Sequence, residues 1–166
     1  MPTNATILGA AGEHYVMHCL LRKNFIAALA PTGVPNADII VSDDLGSRLF
    51  AMQVKVRSGR GSDGGWHMKE KHEKLRSENL FYCFVDFGSG LQEAPKCWIV
   101  PSVVVAEVLQ RSHACWLAQP GARGVARNDS EMRRFLPSYE KWNVGPEHCA
   151  GWLDKFADAW EQLEQA

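Results

Sequence analysis

Residues 49–59 read LFAMQVKVRSG. In an extended chain Phe50, Met52, Val54 and Val56 fall on one side, and Gln53, Lys55 and Arg57 on the other. Asp38 stands at the head of an earlier segment, ADIIVS. If the two segments pair as a hairpin through DDLG, Asp38 comes to the end far from the turn, where Gln53 and Lys55 also lie. A carboxylate, an amide oxygen and an ammonium at one strand edge could do acid–base and electrostatic chemistry on a charged centre. The same residues suit the solvated face of a half-buried strand, and on spacing alone that reading comes first.

The surrounding pattern must supply the elements that position these groups. A helix is expected from Thr6 to about Lys23, with Leu8, Ala11, Tyr15, Val16, Cys19 and Leu20 on its apolar face and Asn24 at its end. FIAALA, ADIIVS and SRLFAMQVKVR read as three strands, the first two separated by the turn PTGVPN. The glycine-rich loop SGRGSDGG follows, and then a charged, helix-favouring stretch, HMKEKHEKLRSE. NLFYCFVDF suits a buried central strand, KCWIV a short one, and SVVVAEVLQR a helix opened by Pro101. Residues 112–143 read as irregular, with SEMRRFL as the one helical candidate. Pro146 to Glu164 reads as an amphipathic helix whose apolar side carries Trp152, Leu153, Phe156, Ala157, Trp160 and Leu163. The expected architecture is a single α/β domain over residues 1–166, with a mixed β-sheet flanked by helices. Its α-β-β-β-α-β core spans about 7–111, and a C-terminal helical extension spans about 112–166.

Composition sets further bounds. The 166 residues are 46% hydrophobic and 22% charged, as in a soluble globular protein with a real core. No apolar run is long enough to span a bilayer, and no secretory signal is evident. Five widely spaced cysteines without a Cys-x-x-Cys favour free thiols in a reducing cytoplasm. The net charge of -1 argues against tight nucleic-acid binding by bulk charge. The distribution is uneven, however. Between Arg48 and Arg76 there are eight Lys or Arg against three acids, whereas from Pro146 onward there are five acids against Lys155.

An acid heading one strand, then Gln-x-Lys on the next, resembles the PD-(D/E)xK nuclease superfamily, whose fold is restriction endonuclease-like. The QVK form is most similar to Mrr-type nucleases and Holliday-junction resolvases. GAAGEHY resembles the superfamily's leading helix, with Glu13 as its acid, and the element order matches the common core from about Ile7 to Val100. The resemblance implies a Mg2+-dependent endonuclease, with Mn2+ as a substitute. Asp38, Gln53, the Val54 carbonyl and Glu13 would bind the metal, and Lys55 would orient or deprotonate the attacking water. It further implies DNA, duplex or branched, as partner, and dimeric action by two copies. The departures are specific: no Pro precedes Asp38 directly, since NAD carries the acid, and Gln53 replaces a negative charge with a neutral ligand. The alternative is a nuclease-fold module with weakened or lost chemistry that acts by binding nucleic acid or protein.

Other candidates carry less. Arg57 and Arg60 flank the glycine-rich loop and could contact phosphates, as could a mobile surface loop's cations by chance. GRGSDGG lacks the Gly-Lys-Ser/Thr ending of a phosphate-cradling loop. Lys69, Lys71, Lys74 and Arg76 could track DNA from a helix, although interleaved Glu70 and Glu73 favour a plain solvated one. His14 and His18 have metal spacing without a third ligand, and nothing orients His113 or Cys115 for thiol catalysis.

Overall fold

The computed structural model describes residues 5–59 and 64–164. The chain opens with helix α1 (Ala5–Arg22), and Asn24 follows it with φ of 64°, the left-handed ending expected there. Strands β1 (Ile26–Leu29), β2 (Ile39–Ser42) and β3 (Leu49–Arg57) form an antiparallel meander. The β2–β3 turn is held by Asp43, whose carboxylate accepts the backbone N–H groups of Ser47 at 2.7 Å and Arg48 at 3.3 Å. That turn fixes the register Ile39 to Met52 and Val41 to Phe50. After the loop come β4 (Trp66–Lys69), β5 (Leu80–Asp86), β6 (Lys96–Pro101), helix α2 (Ser102–Ala118) and β7 (Met132–Phe135).

Five strands make one mixed sheet in the order β1-β2-β3-β5-β6, and only the β3–β5 pair is parallel. β4 and β7 pair apart from it as a two-stranded antiparallel ribbon. Apolar clusters lie on both faces of the sheet. On one, α1 brings Val16 and Leu20 against Ile39, Met52 and Val54. On the other, α2 and the ribbon bring Val105, Leu109, Trp66 and Phe135 against Tyr82 and Phe84. Burial on both faces explains the near-continuous apolar run of β5.

Three expected elements take other forms. HMKEKHEKLRSE is not a helix: its start belongs to β4, and only Glu70–Glu73 forms a 3-10 turn. Trp66 and Met68 alternate inward into the core, and this burial overrides a helix-favouring composition. SEMRRFL is likewise not helical, because Met132–Phe135 pairs with β4 and places Phe135 against Phe84. The helix expected from Pro146 is replaced by short 3-10 turns at Pro146–His148, Asp154–Phe156 and Trp160–Glu164. Its apolar residues do bury, but on different sides. Trp152, Leu153 and Phe156 join the cluster under α2, whereas Trp160 and Leu163 join the cluster under α1. Between them the chain crosses the outer edge of β6, where Ala157 bridges Trp98 and Asp158 N–H donates to the Cys97 carbonyl at 3.0 Å. A straight helix cannot reach both faces of a sheet. The positive φ of Gly151 and Asp158 marks where the chain turns.

Gly12 sets the distance between α1 and β3. A Cβ there would sit 2.2 Å from Val56 Cγ2, so only glycine permits the approach. Gly9, one turn earlier, has open space around its Cα. Gly12→Ala is therefore expected to destabilise the protein by about 1–3 kcal/mol through overpacking. Gly9→Ala is expected to be neutral or to stabilise by up to roughly 1 kcal/mol through helix propensity. Denaturant unfolding of the two variants checks the contrast.

Candidate functional site

β3 runs past the end of β2, and the candidate residues gather where β2 gives out. The Ala51 N–H donates toward the β5 side, to the Asn79 carbonyl. Strand alternation therefore turns the peptide groups of Met52 and Val54 toward β2. The Asp38 N–H donates to the Met52 carbonyl at 2.9 Å, and the Asp38 carboxylate accepts the Val54 N–H at 2.7 Å through Oδ2. Asp38 thus brackets Gln53 along the strand and replaces the missing β2 backbone with its side chain. Among the described residues no donor reaches its Oδ1. The Val54 carbonyl points to the same edge as its N–H.

Gln53 lies on the opposite face of β3 from Met52 and Val54. It is only 6% exposed, and its Oε1 is buried without a hydrogen-bond partner. An orphaned buried acceptor costs about 1–3 kcal/mol. Its register neighbour on β5, Tyr82, offers no relief, because the Tyr82 hydroxyl is engaged with His72 Nδ1 at 2.8 Å.

Glu13 and Lys55 complete the group. Gly12 brings α1 close to β3, and Glu13 is half-buried beside Asp38 and Lys55. Burial, and then the Asp38 carboxylate, push the Glu13 carboxyl above its usual range; His14 and Lys55 partly oppose this. Burial pulls the Lys55 ammonium below its usual value. Asp38 and Glu13 resist that shift, while Lys71 adds to it. Glu13, Asp38 and Lys55 thus lie close enough to interact electrostatically, and Gln53 stands between the two β3 peptides that Asp38 engages. Two carboxylates, an orphaned amide oxygen and a strand carbonyl would together offer all-oxygen donors, the type that suits a hard divalent cation. Orphaned Gln53 Oε1 is the observation that fits such an ion. Among the described residues, no three His, Cys, Asp or Glu side chains form a metal-holding group.

Arg57 makes contacts within the protein. Its guanidinium is ion-paired with Asp86 at 2.7 Å and packs 3.9 Å from the Trp66 ring centroid, with 15% of the side chain exposed. Arg60 lies outside the described residues. His14 and His18 are exposed on α1, and His113 pairs with Asp129 at 2.7 Å.

The sequence reading passed over Tyr82 and His72. Tyr82 sits inside an apolar run and His72 inside a charged one, so neither pattern announces a polar contact. The tyrosine's register opposite Gln53 becomes visible only once β3 and β5 pair in parallel. Burial, and then Asp38, push the Tyr82 hydroxyl up; burial, with Lys55, Lys71 and Lys69, pulls His72 down to about 4. The pair is neutral at pH 7. A basic cleft of about 620 Å³ opens beside it, lined by Lys55, Lys69, Lys71 and His72 among others.

No protein-family model matches the chain, and no curated protein matches it. Among solved structures, the chain is similar to the bacterial homing endonuclease I-Ssp6803I. The TM-score is 0.55 and the identity 11%, over 98% of this chain and 92% of that one. It also resembles Hjc, a Holliday junction resolvase of Archaeoglobus fulgidus, with a TM-score of 0.43 and 14% identity over 81% of this chain and 85% of that one. The fold is restriction endonuclease-like, as the sequence resemblance implied.

His72 makes stability depend on acid. The folded protein keeps it neutral down to about pH 4, whereas the unfolded chain takes a proton below about 6.5. Acid therefore favours the unfolded state across that window, with a loss on the order of 3 kcal/mol from this group. Unfolding free energies measured from pH 7 to 4 should show this component in the wild type and lack it in His72→Gln.

Proposed function

We propose that the protein is a divalent-metal-dependent nuclease that hydrolyses DNA phosphodiester bonds. The observation that carries the reading is the buried, unpartnered Oε1 of Gln53, bracketed by Asp38 and set beside Lys55. The fold shared with a homing endonuclease supports the reaction class.

Asp38, Gln53, Glu13 and the Val54 carbonyl would hold Mg2+, or Mn2+ in its place. A bound ion there supplies stabilisation of phosphate charge and a more acidic water. Lys55 has an ammonium that releases its proton more readily than an exposed lysine. It orients the attacking water and exchanges a proton with it, and in its charged form offsets the negative charge that develops on phosphate. Asp38 is fixed by the Val54 amide and cannot swing away without orphaning that donor. Burial and Asp38 raise the Glu13 carboxyl, which would have to be ionised to serve as a ligand, so cation affinity would rise with pH. Simultaneous cutting of both strands calls for two copies, and the reading includes a homodimer. The second reading is a module that binds nucleic acid or protein through this fold without cutting. It is favoured by the presence of two carboxylates where Gln53 takes the place of a third.

Incubation with plasmid, linear and branched DNA separates the two readings. Cleavage is expected in Mg2+ or Mn2+ and none in EDTA, with Lys55→Ala slower by at least about 100-fold. Gln53→Ala is expected to raise the metal concentration needed for half-maximal rate. If wild type and Lys55→Ala are equally inert in both metals on all three substrates, the enzyme reading fails.

A further inference from the structure

The sequence groups Lys69, Lys71, Lys74 and Arg76 as one cationic stretch, and the structure divides it. Lys74 pairs with Glu70 at 3.0 Å, and Arg76 donates to Gln110 at 3.2 Å. Lys69, at the end of β4, and Lys71, in the turn after it, are exposed and enter no ion pair among the described residues. Both line the cleft that contains Lys55, where Glu131 is the one acid among the described residues. Lys71 also hydrogen-bonds Asn36 at 3.1 Å, two residues before Asp38.

The ribbon that presents Lys69 has two distinct sides. Trp66, Met68 and Phe135 point inward and are buried. His67, Lys69 and Met132 point outward; the register sets His67 opposite Arg134 and Lys69 opposite Met132. Met132 is 57% exposed. A second cavity of about 450 Å³ shares His67 and Met132 with the cleft and adds His113, Arg133 and Arg134. The cleft at Lys55 and this second cavity thus adjoin at the outward row of the ribbon, forming a furrow past His67 and Met132. A two-stranded ribbon is also of a size that fits the major groove of DNA.

We propose that the outward face of the β4–β7 ribbon is the DNA-docking surface, with Lys69 and Lys71 contacting the phosphates that flank the one presented to Lys55. The placement of the reacting phosphate rests on the nuclease reading; the docking surface is tested without cleavage. Interior burial of Trp66, Met68 and Phe135 anchors the ribbon to the sheet, so the lysines are held in fixed relation to β3. The partner is a DNA duplex, selected by the grouping of Lys55, Lys69 and Lys71 at one cleft in a protein whose net charge is only -1.

The test is binding of a labelled DNA duplex in EDTA, over a range of salt concentrations. Lys69→Ala/Lys71→Ala should raise Kd about 10-fold or more and make the slope of log K against log salt shallower by about 2. Lys23→Ala, an exposed change on the far helix end, should alter neither. Circular dichroism checks that the double variant is folded, and Lys69→Gln/Lys71→Gln repeats the charge removal with longer side chains. An unchanged Kd and slope in both double variants, or no binding by the wild type, overturns the proposal. Weakened binding in the double variants of a wild type that never cuts keeps the ribbon surface and rejects the nuclease. Cleavage by wild type with unchanged binding in the double variants does the reverse.

Discussion

β3 is nine residues long and β2 only four, so one strand must continue without its neighbour. Val54 would then leave a backbone N–H unpaired at an inner strand, and the Asp38 carboxylate takes it. That bond closes the sheet's hydrogen bonding while leaving a notch where more backbone would otherwise lie. Everything near the notch is set by the same register. A one-residue slip in the β2–β3 pairing would exchange Gln53 and Lys55 for Met52 and Val54 on the working face. The Asp43 turn resists such a slip, and the glycine at position 12 lets α1 settle close enough for Glu13 to reach the same place.

Burial, more than mutual contact, pushes the groups at the notch toward neutrality. Glu13 rises, Lys55 falls, and the Tyr82–His72 pair behind Gln53 carries no charge at pH 7. A third carboxylate at position 53 would add repulsion in a half-buried space that has one close lysine. The neutral amide avoids that repulsion and leaves an acceptor without a donor instead. The folded protein therefore tolerates an unmet polar group where an acid would demand a counter-charge at all times.

The sequence made legible whatever depended on short-range periodicity. Alternation set the two faces of β3, the Asn24 ending closed α1, and the pairing of β2 with β3 set Asp38 beside Met52 and Val54. The missed features depend on distant partners. Trp66 pairs with Phe135, and neither segment contains the signal for the other. With that pairing unseen, HMKEKHEKLRSE and SEMRRFL, which contain most of β4 and all of β7, both read as helices. Tyr82 and His72 were hidden for the same reason, since their contact exists only after the parallel β3–β5 pairing and the turn after β4. Arg57 fell on the expected strand face, but Asp86 and Trp66, both distant in sequence, claim its guanidinium.

The crossing of the chain over β6 bears on the order of folding. Until residues 157–163 arrive, β6 offers an open hydrogen-bonding edge, and both apolar clusters lack part of their cover. The β1–β2–β3 meander needs only local contacts and can form early. The other half of the sheet stays exposed longer, with the apolar strand β5 beside it, during synthesis as well as refolding. The interval before the tail wraps is thus when the protein is most open to pairing with another chain, and crowding or heat would act there first.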